Sequence, residues 1–317
     1  MSMEKIPVLA VVGPTASGKT SLAVMLAEKY NGEVISADSM QIYSGMDIAT
    51  AKPSAEEMRS VRHHLIGHIS SAEKYSAARF SEEAALAARD ITGRGKRVII
   101  AGGTGLYVDS FLSGLDFPEE KASFEIRQEL IRRLNAEGIE SLYEELKKID
   151  PETALNTHIN NEKRVLRSLE IYYNSGEKPS VVRLLAKKNE SRYESVYIGL
   201  FFENREVLYD RINRRVEIML QNGLLDEAER FFSLKASETA VQAIGYKELK
   251  PYFDGEIPLD EAKENLKRAT RRYAKRQLTW FNKNPDINRI NRDNMSDDEV
   301  FSAACEITDA SGIFKGR

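Results

Sequence analysis

Residues 13–20 read GPTASGKT and follow directly on the apolar run Ile6–Val12. A strand, a glycine-rich turn and a helix that opens on Lys-Thr leave such a chain few ways to fold. The turn is a phosphate-binding loop: Gly13 and Gly18 let the backbone wrap an anion, Lys19 adds a positive charge, and Thr20 can place a hydroxyl on a phosphate-bound Mg²⁺. The helix that follows, marked by Leu22, Met25, Leu26 and Tyr30, would aim its free N–H groups at the same anion. A glycine turn that merely caps a helix accounts for the glycines but not for Lys19 followed by Thr20. Because the loop contacts only phosphates, it leaves open whether they belong to a nucleotide or to another diphosphate.

A chain of 317 residues can bury one large core or two ordinary ones without staples. The lone Cys305 excludes an intramolecular disulfide and any cysteine-rich zinc site, and four histidines offer little metal chemistry. No cleavable leader pattern is apparent, and Ile6–Val12 is too short to cross a bilayer, so a cytoplasmic protein with no membrane contact is expected. The net charge of −3 argues against indiscriminate nucleic-acid binding but says nothing about local patches.

Over the first hundred residues strand-like and helix-like segments alternate: 8–12, a helix, 33–37, a helix over 76–92, then 98–101. This predicts a parallel sheet with crossover helices. The segment 98–101 runs into Gly102-Gly103-Thr104-Gly105, a second glycine turn opening a second helix. In parallel sheets such turns gather at the carboxyl edge, so two of them predict one shared pocket. After Asp116-Phe117-Pro118 the texture becomes charged and helical over 125–136, 139–149 and 162–174, which reads as an insertion. The strand-like stretch 195–202 resumes the α/β pattern, and the rest reads as helices over 207–222, 225–234, 240–249 and 260–282. The expected organisation is therefore a core of 1–117 with 195–317, interrupted by a helical insertion of 118–194.

Asp38 ends the apolar segment 34–37, on the sheet edge that carries the loop. It can be read as a Mg²⁺ ligand, as a base taking a proton from a nucleophile, or as a strand-end cap. The wider segment Asp38-Ser39-Met40-Gln41-Ile42-Tyr43, then MDIATAKP at 46–53, together with 13–20 and 102–107, resembles the bacterial tRNA dimethylallyltransferases. The likeness extends through HHLI at 63–66, YSA at 75–77, RVLRSLE at 164–170, QAIGY at 242–246 and RRYAKRQLTWF at 271–281. Ala49 stands where that family usually has Gly, Gly67 where an acidic residue usually follows the histidines, and Asn282 where Arg is common.

This resemblance implies a P-loop NTPase-like α/β core and transfer of a dimethylallyl group from dimethylallyl diphosphate to N6 of adenosine 37, in the anticodon stem-loop of tRNA. Gly13, Pro14, Thr15, Ala16, Ser17, Gly18, Lys19 and Thr20 would hold the diphosphate with Arg215, and with Arg211 less directly, while Asp38, Ser39, Met40, Gln41 and Thr104 would face the tRNA. The residues suit that chemistry. Loop amides, Lys19 and a Mg²⁺ on Thr20 would neutralise the departing diphosphate, and Asp38 would take the proton that the amine loses, with a metal role as its alternative. N6 lies in a stacked base, so extrusion into a deep pocket between sheet edge and insertion is expected. A monomer is expected.

Other charged groups carry two readings. Arg211 and Arg215 share one helix face, which is otherwise a solvated face paired with Asp210 and Glu217. Lys267, Arg268, Arg271, Arg272, Lys275 and Arg276 form a basic stripe with only Glu264 near it; with Arg127, Lys163, Arg164 and Arg167 of the insertion they would grip the tRNA backbone. His63 and His64 diverge in direction and read as structural, and Trp280 and Phe281 read as core anchors. A nucleoside or small-molecule kinase would use the same loop for ATP, and a non-catalytic RNA-binding protein could use it as an anion site. The chain shows no adenine-binding motif, and its basic surfaces exceed what a small acceptor needs.

Overall fold

The computed structural model describes residues 5–114, 124–186 and 191–315. Two compact units are present, one made of Met1–Leu112 with Ser191–Arg317 and the other of Ser113–Glu190. The first unit contains β1 (Ile6–Val12), α1 (Lys19–Tyr30), β2 (Gly32–Ser36), α2 (Ala55–Met58), β3 (His63–His64), α3 (Ala77–Gly93), β4 (Arg97–Gly102) and α4 (Gly105–Leu112). The second unit follows with α5 (Phe124–Ile149), α6 (Pro151–Leu155), α7 (Glu162–Ser175) and α8 (Pro179–Ala186). The first unit then resumes through β5 (Tyr193–Phe201), α9 (Arg205–Gln221), α10 (Leu224–Phe232), α11 (Tyr246–Phe253), α12 (Leu259–Phe281), β6 (Ile287–Asn291) and α13 (Asp297–Ser311).

All pairs of the six-stranded sheet are parallel, in the order β3-β2-β4-β1-β5-β6. Strands covered on both faces can be apolar at every position, and β1 is so. Val8, Ala10 and Val12 join the core on one face, while Leu9 and Val11 join the core on the other. Strand order then positions the site. Placing β4 between β2 and β1 sets three carboxyl ends side by side, with Val12 opposite Gly102 and Ser36 opposite Ala101. The loop 13–20, Asp38 and the turn 102–105 therefore leave the sheet at one level, where open α/β sheets bind ligands.

The second glycine turn is glycine-rich because other backbone and side chains pass through the space a Cβ would need. A Cβ on Gly102 would lie 2.1 Å from Ala37 O, one on Gly103 2.1 Å from Gln277 Nε2, and one on Gly105 2.1 Å from Trp280 Cδ1. Helix α12 thus docks on the turn at van der Waals contact.

Several expected boundaries move for identifiable reasons. The expected break at 117–118 lies outside the described residues; the first unit resumes at Ser191 rather than 195, because Tyr193 already pairs with Ile6. Segment 240–249 is a short 3₁₀ turn, Ala240–Gln242, followed by α11, with Gly245 at φ 118 interrupting any continuous helix. The tail beyond α12 is not all helical: β6 pairs with β5 through Ile287 and Ile290, whose spacing of three hides the strand period. The two helices expected over 125–136 and 139–149 are present as such, separated at Gly138, which stands at φ 82 outside the helical region.

The second unit has its own core, built on Leu130, Leu142, Leu146, Val165 and Leu169. The buried Asp150 carboxylate accepts the Thr153 N–H at 3.1 Å and the Ser180 N–H at 2.7 Å, tying α6 to α8. Among the described residues no helix is long and apolar enough to cross a membrane.

Replacing Gly105 by Ala should lower stability by roughly 1–3 kcal/mol, the usual cost of overpacking. Thermal denaturation would show the loss, and Gly105→Ala combined with Trp280→Ala should be no worse than Trp280→Ala alone.

Candidate functional site

The loop 13–20 has the backbone its sequence requires. Gly18 caps α1 at φ 92, a conformation that side chains resist, and a Cβ on Gly13 would lie 2.8 Å from Leu200 O. Lys19 folds back so that Nζ donates to Pro14 O at 3.2 Å. Burial pulls its ammonium down to about 8, with the Asp38 charge opposing and Arg215 assisting. Such a lysine gains a charged partner when an anion enters, which raises its pKa again.

Helix α9 brings both candidate arginines to the loop. Arg211 Nε donates to Ala16 O at 2.8 Å; Arg215 donates to Thr15 Oγ1 at 3.4 Å and to Ala51 O at 3.3 Å. Glu217, read as a possible partner for them, pairs instead with Lys267 of α12 at 2.8 Å. The solvated-face reading of Arg211 and Arg215 is thereby replaced by contact with the loop.

Asp38 Oδ1 accepts the N–H groups of Met40 (3.0 Å) and Gln41 (3.4 Å), while Oδ2 has no hydrogen-bond partner among the described residues. Thr104 Oγ1 accepts the Ser39 N–H at 3.0 Å and donates to Ser39 Oγ at 3.3 Å, so the acidic segment and the second glycine turn are joined. Gln41 Nε2 donates to the carbonyls of Thr50 (3.2 Å) and Ala51 (3.1 Å), fixing the loop that follows.

Two residues from α12 complete the arrangement. The Thr15 N–H donates to Gln277 Oε1 at 2.8 Å, and Gln277 Nε2 donates to Gly103 O at 3.0 Å. One carboxamide, 4% exposed, thus bridges the phosphate loop and the second glycine turn. The Tyr273 hydroxyl interacts with Thr104 and Gln277; burial first, then the Asp38 charge, pushes that phenol above its usual range. Tyr273 therefore stays neutral beside Asp38.

A cavity of about 180 Å³ opens beside these groups. Thr15, Asp38, Ser39, Arg215 and Tyr273 supply polar walls, while Ile212, Val216, Met219, Leu224, Ile244 and Leu266 supply apolar ones. The loop 46–51 closes one side and is held by Glu227, whose carboxylate accepts the N–H groups of Asp47, Ile48 and Ala49, all at 2.8 Å, and the Tyr246 hydroxyl at 2.9 Å. A smaller cavity of about 20 Å³ lies between Lys19, Thr20, Asp38, Gln41 and His63.

The basic stripe is less uniform than its spacing suggests. Lys267 is held by Glu217 and Glu264, Arg271 donates to Asn213 Oδ1 at 2.8 Å, and Arg276 borders the cavity while still exposed, as are Arg268, Arg272 and Lys275. In the second unit Arg127 (2.8 Å) and Arg167 (3.4 Å) share the buried Glu170, while Lys163 and Arg164 are both exposed. Phe281 is buried as expected, but Trp280 is 36% exposed and anchors by donating to Asp109 Oδ2 at 2.8 Å.

Residues 41–284 match the family model described as IPP transferase. The chain belongs to that family. It is 47% identical over 92% of its length to the tRNA dimethylallyltransferase of Acetivibrio thermocellus, covering 94% of that protein. It is 46% identical to the tRNA dimethylallyltransferase of Halalkalibacterium halodurans over 89% of its own length and 90% of that relative. Among solved structures it is similar to the full-length tRNA isopentenylpyrophosphate transferase of Bacillus halodurans, at 42% identity and a TM-score of 0.72, covering 98% of this chain and 97% of that one. It also resembles a eukaryotic dimethylallyltransferase acting on tRNA, at 30% identity and a TM-score of 0.84, covering 98% and 80% respectively.

The departures of this IPP transferase chain from the usual family pattern are accommodated locally. Gly67 adopts φ 58, and a side chain there would meet Lys52, which pairs with Asp47 instead. Ala49 keeps its N–H on Glu227, and Asn282 accepts from Arg289. The residues that sequence reasoning missed are Gln277, Tyr273 and Glu227. The signal for the first two was present, as polar residues on the side of α12 away from its cations.

The buried lysine yields a pH prediction. An organic diphosphate binding at pH 8.5 should draw a proton onto Lys19, because the anion raises a pKa that burial has lowered to about 8. Calorimetry in buffers of different ionisation enthalpy should register that uptake, its loss in Lys19→Ala, and weakening affinity as pH rises past 8.

Proposed function

We propose that this chain transfers a dimethylallyl group from dimethylallyl diphosphate to N6 of adenosine 37 in the anticodon stem-loop of tRNA. The observation that carries the reading is the convergence of a phosphate loop, the Asp38 carboxyl group and a mostly apolar cavity on one sheet edge. A kinase would need a donor nucleotide and an acceptor on that edge; an apolar wall of Ile212, Val216, Met219 and Leu224 suits a branched hydrocarbon instead.

Residues 13–20 bind the diphosphate with their amides, while Lys19, Arg211 and Arg215 offset its charge. In the reaction the N6–C1 bond forms as the C1–O bond to diphosphate breaks, and the N6 proton passes to Asp38 Oδ2. Thr104, held between Ser39 and Tyr273, orients the adenine edge, with Ser39, Met40 and Gln41 lining the same side. Lys275, Arg272 and Arg271 on α12, and Arg127, Lys163, Arg164 and Arg167 on the second unit, contact the tRNA backbone.

A divalent cation, Mg²⁺ in this reading, would sit on the Thr20 hydroxyl. When bound it supplies charge neutralisation on the leaving diphosphate. The residues fit such an ion: Thr20 opens onto a small cavity whose other oxygen-bearing walls are Ser36, Asp38 and Gln41.

Incubation with tRNA and dimethylallyl diphosphate, followed by nucleoside mass spectrometry, should find a dimethylallyl group added to adenosine 37; an unmodified adenosine would contradict the proposal. Asp38→Ala should slow single-turnover transfer roughly a hundredfold while leaving tRNA affinity nearly unchanged. Transfer at the wild-type rate would remove Asp38 from the role of base.

A further inference from the structure

The adjacent histidines at 63 and 64 take no part in the reaction as described, and β3 sends their side chains to opposite faces. His64 Nε2 meets the Glu33 carboxylate at 2.7 Å. That carboxylate is buried and also pairs with Arg94 and Lys96, so His64 belongs to a structural ion cluster. His63 instead lines the 20 Å³ cavity shared with Lys19, Thr20, Ser36, Asp38 and Gln41.

The tautomer of His63 follows from its neighbour. Nδ1 lies 3.0 Å from Val61 O, which can only accept, so Nδ1 carries the hydrogen. In the neutral ring Nε2 is then a bare acceptor, and it is buried with no hydrogen-bond partner among the described residues. Buried polar atoms in folded proteins are paired with protein or with ordered water. The cavity has room for a single water molecule, and its walls offer the several polar partners such a water needs.

Thr20 stands on the same cavity. Mg²⁺ held by one protein hydroxyl and substrate phosphates keeps several of its waters, and those waters are strong hydrogen-bond donors. We propose that His63 is a positioning residue for the divalent cation, its Nε2 accepting a hydrogen bond from a cation-bound water seated between His63 and Thr20. This rests on the reading of Thr20 as the cation's protein ligand. The imidazole does not touch the metal; it orients the hydration shell, as outer-shell partners of metal sites do.

The test uses the full chain with inorganic diphosphate and Mn²⁺ as the probe, read by electron paramagnetic resonance rather than by turnover. His63→Ala should weaken Mn²⁺ binding to the diphosphate complex about tenfold, the usual cost of losing an outer-shell partner. His63→Gln, whose Oε1 can replace Nε2 as acceptor, should restore most of it. Equal Mn²⁺ affinity in wild type and His63→Ala would overturn the role of His63 alone, whereas a wild-type chain that binds no Mn²⁺ with diphosphate would overturn the cation reading as well. A second measurement needs no variant. In wild type labelled with ¹⁵N only at histidine, the electron spin echo modulation of bound Mn²⁺ should change through a weak, second-sphere nitrogen coupling. No change on labelling would contradict the proposal, and a strong coupling from direct ligation would do the same.

Discussion

The carboxamide of Gln277 holds the site together. It accepts the N–H of Thr15 in the phosphate loop and donates to the carbonyl of Gly103 in the neighbouring turn, so two loops that end different strands share one rigid partner. Each bond contributes only about 1 kcal/mol net, but an unpaired buried carboxamide would cost more than either. The bridge works only because Gly103 lacks a side chain where Gln277 passes and because β4 lies between β1 and β2. From that constraint follow the position of Thr104 against Ser39, the Asp38 turn beside it and the mouth of the cavity.

The same helix presents two different faces. Gln277 and Tyr273 face the phosphate loop, Thr104 and Asp38, while Arg272 and Lys275 are exposed. Joining both faces in one element makes the geometry of the site depend on the helix that would meet the nucleic acid. Glu227 plays a parallel role on the opposite wall, where one carboxylate caps three successive backbone N–H groups of the loop 47–49.

What could be read from the sequence was what short-range chemistry encodes. The glycine-rich turn at 13–20, Asp38 at a strand end and Thr104 after paired glycines all rest on residues close together in the chain. Gln277 lies 262 residues from its partner Thr15, and Glu227 about 180 from the loop it caps, so no local pattern announces either contact. β6 was hidden because Ile287 and Ile290 do not alternate, and β3 because two residues carry no period. The paired histidines were read rightly as diverging. Their separate fates depended on which of them met the buried Glu33 and which met a cavity.

The central claim is that one sheet edge holds the leaving diphosphate, the hydrocarbon and the accepting adenine together. A crystal structure of the chain with an unreactive thio analogue of dimethylallyl diphosphate and an anticodon stem-loop tests it most directly. The account predicts diphosphate on the amides of residues 13–20, the branched chain among Ile212, Val216 and Met219, and adenine N6 between that chain and Asp38. A hydrocarbon lying outside this cavity, or an adenine that does not approach Asp38 and Thr104, would contradict it.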